Sequence, residues 1–264
     1  MIDGAAQEAS VICEGLTKSY GDNLAVAPLD LRVERGEFFG FLGPNGAGKS
    51  TTIKMLCGLL RPSEGRAWVL GHDVARQPLA VKARIGVLPE EVQTFERLTG
   101  WELLLFSGRM YGLSGEELYD RASKLLDLLE LDDALRHRLV VDYSMGMRKK
   151  IALACALIHR PAVLFLDEPF NGIDTIVARS IRQVLKQLAS TGVTIFFSSH
   201  VLEIVEKLCD RVAVIDRGRL VGVGDLESLR AQAGLGADDP LEEIFVRLVG
   251  ARERDDDLDW LRSP

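Results

Sequence analysis

The chain has 264 residues, 47% hydrophobic and 27% charged, enough to close a sizeable core without metals or disulfides. Its 32 Lys and Arg against 39 Asp and Glu leave a net charge of −7, which implies no broad cationic surface for nucleic acid. No apolar run reaches the ~18 residues that cross a bilayer, and the opening MIDGAAQEAS lacks the basic and apolar regions of a secretory signal.

The first forty residues alternate as strands do. Leu29, Leu31 and Val33 share one face, Asp30, Arg32 and Glu34 the other, and Gly36 turns the chain. Phe38-Phe39-Gly40-Phe41-Leu42 is a continuous apolar run, predicted to be a buried strand. Gly43-Pro44-Asn45-Gly46-Ala47-Gly48-Lys49-Ser50 follows, then a helix with Ile53, Leu56 and Leu60 on its apolar side, ending near Gly58 before Arg61-Pro62. The loop fits G-x-x-x-x-G-K-[ST] in its required place between strand and helix. Its glycines let several N–H groups converge on one anion at a helix N-terminus. A nucleoside triphosphate is the expected ligand, with Lys49 on the outer phosphates, solvent-facing when no nucleotide is bound, and Ser50 on Mg²⁺.

From about 95 to 160 the period becomes helical. Thr99 with Glu102 and Ser114 with Glu117 have capping-box spacing. They precede two apolar stripes, Trp101/Leu104/Leu105/Gly108 and Leu118/Ala122/Leu125/Leu126/Leu129. Strand signals resume at 163–166, 193–197 and 212–215, with helices at 181–188 and 202–208, arguing for a largely parallel sheet covered on both faces. Residues 231–240 read as a linker. Leu241, Ile244, Phe245 and Leu248 then form one amphipathic helix, and the charged residues from Arg252 onward are expected to fray. Cys13, Cys57, Cys155 and Cys209 show no ligand spacing and are expected to be buried free thiols in a reducing compartment. His72, His137 and His159 are read as structural.

The strand at 163–166 ends in Asp167-Glu168, at the carboxyl edge where an open α/β sheet binds ligands. Asp167 is placed for Mg²⁺ or its water, and Glu168 to deprotonate an attacking water. Three further motifs complete an ordered set: Tyr143-Ser144-Met145-Gly146-Met147-Arg148 before an apolar helix, Asn171-Gly172-Ile173-Asp174, and Ser198-Ser199-His200 at a strand end. With the phosphate loop and the acidic pair, this order over about residues 10–225 resembles the nucleotide-binding subunit of ATP-binding cassette (ABC) transporters.

That resemblance implies an α/β P-loop ATPase core with a mainly parallel sheet, an antiparallel N-terminal β region and an inserted helical subdomain at about 92–160. The core spans 1–225, and 226–264 is a short tail. It implies ATP and Mg²⁺ as cofactors, with Tyr20 stacking on adenine and Gly43, Pro44, Asn45, Gly46, Ala47, Gly48, Lys49, Ser50 and Thr51 around the phosphates. Ser144 and Gly146 look like the signature that contacts ATP held by a second subunit, and His200 like the switch that senses the γ-phosphate. Glu90 stands at the coupling-loop Gln and is expected to join Ser50 and Asp167 at the metal. Tyr143, Met145 and Met147 replace the usual signature residues and Thr175 a common Pro. With the Leu241-Glu242-Glu243-Ile244-Phe245 tail, these variants resemble cassettes serving two-subunit-type exporters. The implied partners are a second cassette and a membrane-spanning permease, without direct nucleic-acid binding, and the implied place is peripheral, at the cytoplasmic face of the membrane. The alternative is a soluble cassette ATPase acting on ribosomes or DNA, a class that usually joins two cassettes or inserts a long coiled coil.

Overall fold

The computed structural model describes residues 9–236 and 239–250. Two long antiparallel strands, β1 (Ala9–Tyr20) and β2 (Asn23–Glu34), form a hairpin. With β4 (Glu64–Val69) and β5 (His72–Asp73) they make a four-stranded sheet in the order β2-β1-β4-β5. The alternation over 29–33 is realised in β2, where Leu29, Leu31 and Val33 are buried.

The second sheet runs β10-β9-β3-β8-β7-β6, with β3 at Phe38–Leu42, β6 at Ile85–Leu88, β7 at Val163–Asp167, β8 at Thr194–Ser199, β9 at Arg211–Asp216 and β10 at Arg219–Gly224. All neighbours are parallel except β10, which closes one edge as an antiparallel hairpin with β9. The expected parallel core and antiparallel N-terminal region are both present. The sequence reading passed over β4, β5, β6 and β10, which are short or polar.

The parallel sheet divides the core by its pleat. Phe38, Leu42, Leu164, Leu166, Phe197 and Val214 point to one side, toward α3 (Gly100–Met110), α4 (Gly115–Leu128), α6 (Met145–Leu157), α7 (Thr175–Ser190) and α8 (Leu202–Leu208). Phe39, Phe41, Phe165, Phe196, Ala213 and Ile215 point to the other, toward α1 (Lys49–Leu56) and the N-terminal sheet. Ser10 Oγ and Thr194 Oγ1, 2.7 Å apart, bridge the two sheets.

The short α2 (Pro78–Lys82) precedes β6, and between β6 and β7 lie α3, α4, the short α5 (Asp133–Arg136), a 3-10 turn at Val140–Asp142, and α6. Both expected caps mark helix starts, but only the first is a capping box. Thr99 Oγ1 accepts from Glu102 N at 3.2 Å while Glu102 Oε2 accepts from Thr99 N at 2.9 Å. Ser114 is the N-cap of α4, yet its hydroxyl makes no capping bond.

Two more expectations require correction. The stretch 226–250 carries two helices rather than one, α9 (Leu226–Ala233) and α10 (Leu241–Val249), and α9 takes the first three residues of the expected linker. An Asp225 cap at its start and a left-handed Gly234 at its end bound α9. Leu229, Leu241 and Ile244 join the main core. The expected fraying after Arg252 lies outside the described residues.

All four cysteines are free. Cys13 and Cys57 are buried, Cys155 and Cys209 half-buried, and burial pushes every thiol up, that of Cys155 to about 11.

The contrast between the two caps can be measured. Thr99→Ala should lower unfolding free energy by about 1 kcal/mol in urea denaturation, whereas Ser114→Ala should change it by less than ~0.5 kcal/mol. The hydrogen bonds from the Thr99 backbone and side chain hold the Glu102 carboxyl below its ordinary range. That contribution is therefore full above the ordinary carboxylate pKa and fades as pH falls through the depressed one.

Candidate functional site

The site forms where β3, β7 and β8 end side by side. Leu42 pairs with Ser199 and Asp167 with Ser198, so the residues that follow, Gly43, Glu168 and His200, emerge at one edge. From Gly43 the chain curls into α1. Gly48 is the N-cap at φ +104 and offers no side-chain cap, leaving the first amides of α1 for an anion. The glycines are required by contact. A Cβ on Gly48 would lie 2.7 Å from Ala25 O, and one on Gly43 would strike Ile215 O. Ala47 N donates to Pro44 O at 3.2 Å, and Gly218 N, in the β9–β10 turn, donates to Ala47 O at 2.9 Å. The loop is braced from behind.

Lys49 is not solvent-facing. Only 6% exposed, its ammonium donates to Gly43 O at 2.7 Å and Pro44 O at 3.2 Å and lies 3.1 Å from Glu168 Oε1. The cause is the curl of the loop, which turns the Gly43 and Pro44 carbonyls toward the lysine, and the end of β7, which brings the Glu168 carboxylate beside them. Glu168 sits at φ +47, a costly conformation for a non-glycine residue. Its second oxygen, Oε2, accepts from His200 Nδ1 at 2.9 Å. Oε1 meets Lys49 at ion-pair distance without hydrogen-bond alignment and has no other partner. A buried oxygen with spare acceptor capacity beside a cation suits a proton-accepting role.

A cleft of about 520 Å³ opens over this group, lined by Asn45, Gly46, Gly48, Lys49, Ser50, Thr51, Glu90 and Glu168. Asn23, Leu24 and Ala25 of the first hairpin and Arg217 of the β9–β10 turn complete it, none of which the sequence reading singled out. Arg217 adopts φ +45, and its neighbour Gly218 braces the phosphate loop. The only sequence signal was an Arg-Gly turn after a strand.

The metal candidates are less closely gathered. Ser50 and Glu90 line the cleft, while Asp167 is buried at the end of β7 with Oδ1 accepting from Ser198 Oγ at 2.6 Å. Among the described residues no three His, Cys, Asp or Glu side chains form a metal cluster. An all-oxygen set beside a phosphate loop nevertheless suits Mg²⁺, which takes few protein ligands and shares phosphate oxygens.

Gly43, Pro44, Ala47, Asp167 and His200 adjoin residues of this cleft without lining it, and Tyr20, Ser144 and Gly146 are also outside its walls. Tyr20 ends β1 next to the hairpin, 52% exposed, with the Lys18 ammonium 5.1 Å from its ring centre. Ser144 is exposed as the N-cap of α6, its hydroxyl accepting from Met147 N at 3.3 Å. Gly146 is buried on α6, where a Cβ would press on Val177. Met145, Tyr143, Arg148 and Lys149 instead line a second cleft with Glu90, Asn171 and Gly172. Of the three histidines read as structural, His159 stacks on Tyr111 at 3.6 Å and meets Ile85 O through Nε2 at 2.9 Å.

Comparison with known proteins matches this geometry to one family. The sequence profile of the ABC transporter family fits residues 26–171. The chain belongs to that family. It is 38% identical over 221 residues to the linearmycin resistance ATP-binding protein of Bacillus subtilis, covering 84% of this chain and 71% of that one. It is 42% identical over 220 residues to the daunorubicin/doxorubicin resistance ATP-binding protein of Streptomyces peucetius, covering 83% and 66%. Among solved structures, an ATP-binding subunit of an ABC transporter superposes with TM-score 0.84 at 31% identity, covering 90% of this chain and 98% of that one. A dimeric ATP-binding cassette bound to ADP and phosphate superposes with TM-score 0.76 at 24% identity, over 82% and 98%, a likeness of fold. The cassette is an ATP-binding ATPase subunit of the transporter type.

The pairing of Lys49 with Glu168 sets an expectation for the simplest variant. Lys49→Ala should abolish ATP turnover in a steady-state phosphate-release assay. It should also lower stability by about 1–3 kcal/mol, because a buried carboxylate oxygen and two loop carbonyls lose their cation. Wild-type turnover, or an unchanged unfolding free energy, would contradict the site as described.

Proposed function

We propose that this cassette drives a membrane exporter, and that two cassettes close head to tail around ATP. The observation that carries the pairing is the separation of Ser144 and Gly146 from the cleft of Lys49, Ser50 and Glu168. Ser144 is exposed at the start of a thirteen-residue helix, and neither it nor Met145 or Gly146 lines the cleft over this chain's own phosphate loop. A helix N-terminus with a hydroxyl suits an anion brought by a second copy or a related cassette. Export rests on the drug-resistance relatives and on the variant signature and tail. The ribosome or DNA reading has no observation in its favour, the chain's charge being acidic.

In this reading Lys49 exchanges Glu168 and the loop carbonyls for the outer phosphates of ATP, and the amides of α1 take the remaining charge. Glu168 then accepts the proton of the attacking water. A bond forms from water oxygen to the γ-phosphorus as the bond to the bridging oxygen breaks, and ADP leaves with that electron pair. His200, held on Oε2, fixes the carboxylate's orientation. Ser50, Asp167 and Glu90 would hold Mg²⁺, which supplies charge neutralisation for the phosphates.

In this reading the permease docks on the helical block. An apolar groove of about 460 Å³ runs between β6 and α3, with Val87, Phe95, Phe106, Met110 and Cys155 in its walls. Phe95 and Phe106 meet edge to face at 5.2 Å, and Phe95 and Met110 are exposed. Such a patch fits a short amphipathic helix from a membrane protein. No helix of the described residues is long and apolar enough to cross a membrane, so attachment through this groove makes the cassette peripheral.

Two measurements test these statements. In Glu168→Gln the base is lost, so hydrolysis should fall by 10²–10⁴-fold, roughly 3–5 kcal/mol in the barrier, and ATP should accumulate a dimer visible by light scattering. Adding Ser144→Arg should remove that dimer while leaving nucleotide binding in place. A dimer indifferent to Ser144, or none with ATP, would overturn the head-to-tail reading. Met110→Glu should leave ATP hydrolysis of the purified chain within about twofold and cut membrane-fraction recovery in cells at least tenfold. Unchanged recovery would place the permease elsewhere.

A further inference from the structure

Arg148, Lys149 and Lys150 are consecutive on α6, and each is spent differently. Arg148 bonds Tyr143 O at 3.2 Å and Val141 O at 2.9 Å, holding the segment that leads into the helix. Lys150 pairs with Glu130 Oε2 at 2.9 Å, fixing the end of α4 to α6. Lys149 turns inward. It is 2% exposed, and its ammonium donates to the main-chain carbonyl of Glu168 at 2.8 Å.

An ammonium is an expensive group to bury for one main-chain bond. Burial lowers its pKa, while the carboxylates of Glu90, Glu168 and Asp167 act in the opposite sense. Its position is informative because Glu168 is the strained residue of the site, at φ +47. A carbonyl clamped on its far side by a buried cation resists the peptide rotation that would relax this conformation. Asn171 N also donates to the Glu168 carbonyl, at 3.2 Å, so removal of the lysine would loosen the carbonyl without orphaning it.

We propose that Lys149 is a positioning residue for hydrolysis, clamping the Glu168 main chain so that its carboxylate keeps its place on His200 at the phosphate cleft. This rests on Glu168 being the proton acceptor. The clamp also has a direction. Lys149 lies about one and a half turns beyond Ser144 on the same helix. The helix that offers its N-terminus to a neighbouring cassette's ATP thus holds the carboxylate that hydrolyses this chain's own. Displacement of α6 on closure bears directly on Glu168.

The test compares Lys149→Met, which keeps the aliphatic stem and loses the donor, with Lys149→Arg, which keeps a charged donor. Full-length protein is assayed for steady-state ATP hydrolysis and thermal melting, and each change is repeated in a Glu168→Gln background for ATP-dependent dimerisation. Lys149→Met should lower kcat at least fivefold, leave half-saturating ATP within twofold, and preserve both the ATP-dependent dimer and the melting temperature within about 5 °C. Lys149→Arg should keep kcat within about threefold of wild type. A kcat fall below fivefold in the Met variant overturns the proposal, as does an equal loss in both variants. A fall accompanied by loss of the dimer or of thermal stability makes Lys149 a general structural residue, which overturns it too. Absence of the dimer in Glu168→Gln alone strikes the head-to-tail reading and not Lys149, whose kcat comparison stands without it.

Discussion

The in-register parallel pairing of β3, β8 and β7 is the constraint on which the rest of the structure depends. Because Leu42 faces Ser199 and Ser198 faces Asp167, three segments distant in sequence leave the sheet at the same level. A slip of one residue would turn Phe39, Phe41, Phe165 and Phe196 to the opposite face. It would also carry Glu168 and His200 away from the phosphate loop. The aromatic layer that these phenylalanines form, with ring centres 5.4–5.5 Å apart, fixes the register and the site together. Packing and chemistry are specified by the same side chains.

Above that layer the sheet edge concentrates buried charge. Lys49, Glu168, Asp167 and Lys149 are all nearly inaccessible to solvent. None would be tolerable alone, and each is matched by an opposite charge, a hydroxyl or a main-chain carbonyl. The balance is kept by exchangeable partners. Lys49 has three anionic or dipolar neighbours, and Glu168 meets an ammonium and an imidazole, so a phosphate that takes Lys49 leaves Glu168 its bond to His200. A site arranged this way can change ligands without exposing an uncompensated charge.

Much of this was legible in the sequence, for reasons that differ from element to element. The phosphate loop and the strand ending in Asp167-Glu168 were readable because glycine spacing and apolar runs are local properties. So was the Thr99–Glu102 box, whose two partners lie three residues apart. Strands β6 and β10 were not. Ile85-Gly86-Val87-Leu88 is a four-residue run, and β10 is a hairpin return whose neighbour was found without it. The solvent-facing Lys49 expected from the motif failed because the curl of the loop, not the motif's composition, aims its carbonyls. Ser114 had the right spacing, but no capping bond forms in the packed helix. Lys149 drew no reading from the sequence, because its partner, the Glu168 carbonyl, lies 19 residues away in the chain. Arg217 carried only the signal of a turn, since its place comes from that turn folding back on a loop far away in the chain.

The four free cysteines have a practical consequence. A thiol reacts as its thiolate, and burial holds these thiols largely protonated. For Cys155, with a pKa of about 11, the reactive fraction at pH 7 is on the order of one part in 10⁴. The native chain is therefore a quiet background for maleimide chemistry. A cysteine introduced on an exposed helix end would carry a fluorophore or spin label with little competition, and distances between two labelled subunits could be followed through a turnover cycle without first stripping the natural thiols from the core.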